Sequence, residues 1–191
     1  MIDKNGIEQA ALSMIVAIGE DPRREGLLGT PERIARMYAE LFVGLEQDPV
    51  EELSTTFDEK HQEMVILRDI PFYSMCEHHF LPFFGVAHVG YIPNNKVAGI
   101  SKIARAVEVI ARRPQLQERL TTQVADAIMK ALQPKGVGVV TQAEHLCMTM
   151  RGVKKPGSNV IASAMRGIFR SEESTRAEFL SLVREHESYL R

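Results

Sequence analysis

The chain has 191 residues, a formal net charge of −2 and a charged fraction of 25%. This length suits one domain with a substantial core and a small N-terminal appendage. The near-neutral charge gives no electrostatic footprint for nucleic acid, and the lack of a long uncharged apolar run argues against a membrane protein. The first residues also lack the basic and apolar regions of a signal peptide, so we expect a cytoplasmic globular protein.

The first part of the chain predicts two helices followed by a linker. Apolar residues recur at helical spacing over residues 7–18. A second helix is predicted to begin with Thr30 as its N-cap, because a proline follows at the first helical position. Residues 46–63 are acidic and irregular, which favours a linker. We therefore assign residues 1–60 to an N-terminal helical segment and residues 61–191 to the main domain.

The main domain has the pattern ββααββ. Strand-like runs occupy, in order, residues 64–73, 83–92, 137–150 and 160–169. Between the second and third runs, Ser101 is predicted to cap one helix, and Leu116 to Leu132 forms another. A capping box at Thr175 and Glu178 predicts a final helix. The pattern indicates an α+β fold, with an antiparallel four-stranded sheet and helices on one face.

The edges of this predicted sheet have no obvious covering element. An exposed strand edge presents unpaired N–H and C=O groups, which invite pairing with another chain. We therefore expect a homo-oligomer in which the sheet continues from one copy to the next.

Both cysteines of the chain lie close to histidines in the sequence. Cys76 and His79 have the i, i+3 spacing with which a tight turn aims two side chains at one metal ion. Cys147 would add a third ligand from far along the chain, leaving one open position, as in a catalytic zinc site. The alternative is a pair of buried structural thiols. A disulfide is disfavoured because nothing marks the chain as secreted.

Two further histidines lie next to the candidate metal ligands in the sequence. They are His78 and His145, and a metal-bound water between two imidazoles is typical of hydrolytic chemistry. In the predicted strand over residues 137–150, alternate side chains share a face, so His145, Cys147 and, just beyond the strand, Arg151 are expected to point the same way. The alternative is an amphipathic strand with a solvated side.

Charged residues occupy the predicted first turns of both central helices. Lys102 and Arg105 oppose the helix dipole there, which becomes favourable if an anion such as phosphate binds. Ordinary surface charge is the simpler reading. Glu118 suits the dipole at the start of the next helix, and a carboxylate there can also accept two parallel N–H bonds from a guanine edge.

Four motifs, in order and with matching spacing, resemble the GTP cyclohydrolase I family. They are residues 74–83 (SMCEHHFLPF), 99–105 (GISKIAR), 113–120 (RPQLQERL) and 144–148 (EHLCM), and a late Gly167-Ile168-Phe169 continues the match. The resemblance implies the tunnelling fold, in which ββααββ units combine into barrels, and a homodecamer with active sites between subunits. It also implies conversion of GTP and water to 7,8-dihydroneopterin triphosphate and formate, the first step towards tetrahydrofolate and other pterins.

The resemblance also assigns individual roles. It implies zinc on Cys76, His79 and Cys147, with activated water attacking C8 of guanine. His145 would donate a proton to the purine nitrogen, and His78 would assist at the ribose oxygen. Glu118, with Gln117 beside it, would hold the guanine edge, and the triphosphate would be held by Ser101, Lys102, Arg105 and Arg151.

Two alternatives to this family assignment are a non-catalytic zinc protein and a reductase with the same fold. A non-catalytic protein with structural zinc would explain the ligands but not the histidines and cations. The nitrile reductase relative with the same fold needs a nucleophilic cysteine rather than one committed to metal.

The sequence departs from the family pattern in two places. Residues 159–163 replace a threonine-rich stretch found in many members, which affects local packing. The N-terminus lacks the long extension of animal members, so we expect no regulation through one.

Overall fold

The structure is a computed structural model that describes residues 1–184. The N-terminal elements are α1 (Lys4–Ala17), α2 (Thr30–Leu41), a 3-10 turn (Val43–Glu46), α3 (Pro49–Glu52) and β1 (Thr56–Asp58). The next elements are β2 (Val65–Cys76), β3 (Pro82–Ile92), β4 (Lys96–Ala98), α4 (Ile100–Ala111), β5 (Pro114–Gln115) and α5 (Gln117–Leu132). The last are β6 (Gly136–His145), α6 (Leu146–Thr149), β7 (Asn159–Gly167), α7 (Ile168–Ser171) and α8 (Glu173–Arg184).

The central sheet has the strand order β5-β2-β3-β6-β7. The four long strands pair antiparallel, whereas the short β5 pairs parallel to the end of β2 at Met75 and Cys76. The predicted α+β class with an antiparallel sheet is therefore confirmed. Within residues 1–184, no other strand pairs with the outer edge of β2, and none pairs with that of β7.

The main core lies between the sheet and helices α4 and α5. Alternate residues of β3, such as Ala87, Val89 and Tyr91, are buried against it, as the two-residue period of a strand requires. The helices contribute fully or almost fully buried residues to the same core, including Ile110 and Ile128. This face follows the predicted pattern.

The opposite face of the sheet is also partly covered, which differs from the prediction of helices on one face only. Phe169 and Phe179, from α7 and α8, are completely buried and meet edge to face with ring centroids 5.5 Å apart. They fit over Gly90 and Gly138, where a Cβ atom would come within 2.7 and 2.6 Å of these rings. The glycines create the hollow that lets this second cluster form.

The stretch predicted as a linker is structured. It contains α3 and β1, and β1 pairs antiparallel with β4. Leu53 within it is fully buried in the main core. The prediction of an irregular segment over residues 46–63 was wrong for residues 49–58, because these short elements gain their stability from tertiary contacts rather than from local pattern. Residues 59–63 belong to no helix or strand.

Close backbone contacts join the N-terminal segment to the end of α4. The Arg113 guanidinium donates to the carbonyl oxygens of Gly44 and Gln47, both at 2.8 Å. The Gly44 N–H donates to the carbonyl of Arg112 at 3.1 Å. A Cβ atom on Gly44 would lie 2.0 Å from the carbonyl oxygen of Val109, so only glycine permits this approach.

Helix starts differ from the predicted ones by one or two residues. Thr30 is the first residue of α2, with Gly29 in the capping position. Ser101 lies inside α4, and the N-cap of this helix is Gly99, which offers no side chain for a capping bond.

No helix within residues 1–184 combines the length and apolar character that crossing a membrane would need.

Candidate active site

The strand register brings separate parts of the sequence to one end of the sheet. β3 pairs antiparallel with both β2 and β6, so β2 and β6 run in the same direction and finish at the same end. There Phe83 is paired with Ser74 on one side and with His145 on the other. Cys76 ends β2 and pairs with Gln115, so the start of α5 is held at this end too.

Three side chains of the types that bind metal ions converge at this end. The donor atoms of Cys76, His79 and Cys147 all lie within 4.8 Å of one another, and Cys76 Sγ is 3.9 Å from His79 Nδ1. Zinc with bonds of usual length to sulfur and nitrogen places such donors about 3.5–3.8 Å apart. Cys76 is buried, whereas His79 is exposed, so the group opens towards solvent. Two thiols and one imidazole at this spacing could hold a metal ion.

The environment of Cys147 disfavours the ionised form of its thiol. Burial raises the pKa of its thiol, and the adjacent Cys76 raises it further. Without a cation, the thiol therefore holds its proton more strongly than a free cysteine does. A metal ion would reverse this preference, because a coordinating thiol is deprotonated.

The turn after β2 presents His79. Its backbone is closed by bonds from Phe80 N to the Cys76 carbonyl at 2.8 Å and from Cys76 N to the Leu81 carbonyl at 2.9 Å. The carboxylate of Glu77 accepts two hydrogen bonds from the guanidinium of Arg119 on α5. This bidentate pair ties the turn to the helix that also carries Glu118.

Cys147 lies in a helical turn, not in a strand. β6 ends at His145, and α6 is closed by a bond from Met150 N to the Leu146 carbonyl at 3.1 Å. The expectation that His145, Cys147 and Arg151 alternate along one strand face was therefore wrong. The helical turn brings Cys147 to Cys76, and the exposed Arg151 donates back to the Cys147 carbonyl at 3.4 Å.

One hydrogen bond and one stacking contact fix the ring of His145. It stacks on Phe83 with centroids 4.6 Å apart and planes 4° from parallel, and its Nε2 lies 2.8 Å from Gln117 Oε1. The Gln117 amide nitrogen is 2.9 Å from the Val160 carbonyl and 3.2 Å from the Thr141 carbonyl, which can only accept. Gln117 Oε1 is thus the acceptor, and His145 Nε2 carries the hydrogen. No described residue bonds Nδ1.

A threonine pair completes this network. Thr121 Oγ1 donates to the Gln117 carbonyl at 2.7 Å, so Thr141 Oγ1 donates to Thr121 Oγ1 at 2.8 Å and accepts from the Gln117 amide at 3.0 Å. Gln117 is only 1% exposed. Every polar atom of its side chain is therefore engaged beneath His145, rather than facing solvent beside Glu118.

Burial also lowers the pKa of His145, and the negative charge of Glu118 opposes that shift. Its imidazole therefore favours the neutral form more than a free histidine does. Glu118 itself is exposed in the first turn of α5.

His78 lies outside the group formed by Cys76, His79 and Cys147. Its side chain is 62% exposed, and its Nε2 is 4.0 Å from a carboxylate oxygen of Glu77.

The residues of α4 that are predicted to bind phosphate do not lie near Cys76, His79 and Cys147 of the same chain. β3 leads from Pro82 to the far end of the sheet, and α4 runs back until the carbonyl of Ala111 accepts a hydrogen bond from Ser74 Oγ at 2.7 Å. Ser101 lies ten residues earlier on this helix, about 15 Å along its axis. Lys102 and Arg105 share that early part of α4.

Sequence reasoning missed several side chains of the site. Phe83, Thr121 and Thr141 read as ordinary strand and helix residues, and only the strand register shows that they support His145. The Glu77–Arg119 pair was also missed, although both residues lie inside the quoted motifs.

Comparison with known proteins identifies the family. The family model for GTP cyclohydrolase I matches residues 7–184. GTP cyclohydrolase 1 of Carboxydothermus hydrogenoformans is 62% identical over 192 residues, covering 100% of both chains. GTP cyclohydrolase 1 of Geobacillus kaustophilus is 60% identical over 179 residues, covering 93% of this chain and 95% of its own. The apo crystal structure of the archaeosine synthase QueF-Like covers 55% of this chain and 93% of that chain, with 23% identity and a TM-score of 0.44, too low to carry an argument. The chain belongs to the GTP cyclohydrolase I family.

Proposed function

We propose that this protein opens the imidazole ring of GTP at C8 by hydrolysis, releases formate and forms 7,8-dihydroneopterin triphosphate, the first step of tetrahydrofolate and pterin biosynthesis. Membership of the GTP cyclohydrolase I family supports this function. The observation that carries it is the meeting of Cys76, His79 and Cys147 at the sheet end where His145 is held. A purely structural zinc site would not require that oriented histidine.

Cys76, His79 and Cys147 would hold Zn²⁺, which supplies Lewis acidity and lowers the pKa of water in its open position. His145 is the group that moves a proton at the purine. Because its Nε2–H is committed to Gln117, Nδ1 would take up a proton from water and then donate it to the purine nitrogen. Gln117 is a positioning residue that holds the imidazole in this tautomer. His78, exposed on the metal-binding turn, is available to assist at the ribose oxygen.

Glu118 would recognise guanine. An exposed carboxylate beside His145 can accept parallel bonds from the N1–H and the 2-amino group of guanine. Adenine lacks this pair of donors and would leave the carboxylate unpaired, which is costly in a closed site. Arg151 lies next to Cys147 and would contact the substrate's phosphates from the same chain.

The remaining phosphate contacts would come from another copy of the chain. Ser101, Lys102 and Arg105 lie early on α4, away from the metal-binding end of their own sheet. The open outer edges of β2 and β7 offer the pairing surfaces for a homo-oligomer. A decamer, as the family resemblance implies, would place the α4 cations of one subunit at the zinc site of its neighbour.

The function is tested by incubating the zinc-loaded protein with GTP. We expect stoichiometric release of formate together with growth of pterin absorbance, while ATP and guanosine react far less efficiently. Glu118→Gln should reduce the preference for guanine, because the amide loses one acceptor for the paired donors. A protein that bound zinc and GTP but released no formate would support the alternative of a non-catalytic zinc protein.

The metal ligands are tested by comparing the two adjacent histidines. His79→Ala should lose stoichiometric zinc, because of these two histidines it is His79 whose ring nitrogen lies close to both thiols. His78→Ala is the matched control and should keep zinc while losing roughly 10²–10⁴ in rate. Metal analysis of both purified variants, with Cys147→Ser alongside, provides the measurement. Zinc retained by His79→Ala would mean that the ligand set is wrong.

The positioning role of Gln117 is tested with Gln117→Leu, which keeps most of the volume but removes the acceptor for His145. We expect zinc to be retained and kcat to fall by about 10²-fold, the cost of a misplaced reacting group. Nitrogen-15 NMR of His145 should show the Nε2–H tautomer in the original protein and a mixture in the variant. Gln123→Leu, on the same helix but bonded to Gln115, is the control. An unchanged His145 spectrum would contradict the assignment.

The shared site is tested by mixing two inactive proteins. Lys102→Ala removes a phosphate contact, and His145→Ala removes the proton-transfer group, so each alone should show little turnover. If the two groups act from different subunits, mixed oligomers contain some sites with both groups intact. Partial activity should therefore appear after subunit exchange, measured as formate release from GTP. Failure to regain activity in oligomers shown to be mixed would place both groups in one chain's site.

A further inference from the structure

The turn that carries His79 contains a large side chain in an unfavourable backbone conformation. Phe80 has φ +51°, in the left-handed region, and its side chain is 48% exposed. Bulky L-residues avoid this region because Cβ approaches the following carbonyl oxygen, and glycine is the usual occupant. Such a conformation persists only where the surroundings enforce it.

Local hydrogen bonds do not explain the choice of phenylalanine. The bonds from Phe80 N to the Cys76 carbonyl and from Cys76 N to the Leu81 carbonyl involve the backbone alone. Glycine at position 80 could make the same bonds without the steric penalty. The reason for a phenyl group must therefore lie in the contacts of its ring.

The ring of Phe80 packs against the end of α2. Its centroid lies 5.7 Å from that of Phe42, at 82°, and 6.4 Å from that of Tyr38, at 71°. Tyr38 and Phe42 stack on each other at 5.4 Å. Both contacts of Phe80 are edge to face at favourable distances. We refer to Tyr38, Phe42 and Phe80 as the aromatic clamp.

The α2 side of the clamp is itself fixed to the main domain. Phe42 is buried, with 7% exposed, and Gly44 two residues later is locked against the end of α4. The guanidinium of Arg112 also donates to the carbonyl of Glu40 at 3.2 Å. The end of α2 is thus a rigid surface, against which the Phe80 ring can hold the turn.

We propose that the aromatic clamp is a positioning device for the metal centre, through which the N-terminal segment preorganises Cys76 and His79 for the ion. Phe80 directly follows His79 and closes the turn onto Cys76, so holding its ring fixes the approach of both ligands. The inference rests on the proposed zinc site and makes α2 part of the support of that site.

The test measures zinc affinity rather than turnover, by competition with a chromophoric chelator on the apo form of the full chain. Phe80→Ala should raise the zinc Kd by roughly 10–100-fold, the usual effect of losing a group that orients a ligand. Phe80→Gly should bind zinc roughly tenfold more tightly than Phe80→Ala, because glycine adopts the left-handed conformation without penalty. If the ring only filled space, Phe80→Ala would bind zinc more tightly than Phe80→Gly, because alanine keeps more of the side chain.

Two variants on α2 test the contribution of the N-terminal segment. Tyr38→Ala removes a clamp ring without altering the metal-binding turn and should also raise the zinc Kd. Met37→Ala, at an exposed neighbouring position on the same helix, is the control and should leave the Kd unchanged. The large exposed fraction of Phe80 means that its substitution removes little core, and circular dichroism checks that each variant is folded.

The outcomes separate this inference from the proposed ligand set. If His79→Ala abolishes zinc binding, the ligand set stands however the clamp variants behave. An unchanged zinc Kd in Phe80→Ala or Tyr38→Ala, or a glycine variant that binds no more tightly than the alanine variant, would overturn the clamp. An original protein that bound no zinc would reject both the ligand set and the clamp.

Discussion

The site depends on the pairing of β3 with both of its neighbours. Phe83 lies between Ser74 of β2 and His145 of β6, so one register fixes how far Cys76 lies from the start of α6. A shift of one residue in either pairing would turn every side chain of that strand to the other face. The buried alternation of β3 against α4 and α5 prevents such a shift, and in this way the hydrophobic core sets the geometry of the candidate metal ligands.

Several residues proposed to meet the substrate or the metal ion are exposed, while the side chains that orient His145 are buried. His79, Glu118 and Arg151 face solvent, but Gln117, Thr121 and Thr141 are at most 1% exposed. A buried amide with all its polar atoms paired can adopt only one orientation, because any other leaves a donor or acceptor unsatisfied. This arrangement imposes a single tautomer on His145 without restricting access to the ring.

The sequence was most informative where a motif is short and local. The spacing of Cys76 and His79 and the strand and helix order were predictable, since residue type and periodicity determine them. The alternation expected around Cys147 was wrong, because one helical turn follows β6 where the pattern allowed a longer strand. The contacts of Gln117 and the distance of Lys102 from the metal ligands depend on which strands pair and on the direction of α4. Such topological information does not reside in any one segment.

The fit of Phe179 over Gly90 and Gly138 has a consequence for how this sequence can change over time. Either glycine can gain a side chain only if the phenyl ring above it moves, since a Cβ atom at either position would lie less than 3.0 Å from that ring. Shrinking the ring to alanine opens a cavity that costs about 3–5 kcal/mol. Gly90 and Phe179 are thus expected to covary, so that a larger residue at position 90 is tolerated only after a smaller one has appeared on α8. A larger residue at position 138 would also need a smaller one in place of Phe169 on α7, whose ring lies 2.6 Å from the Cβ position of Gly138.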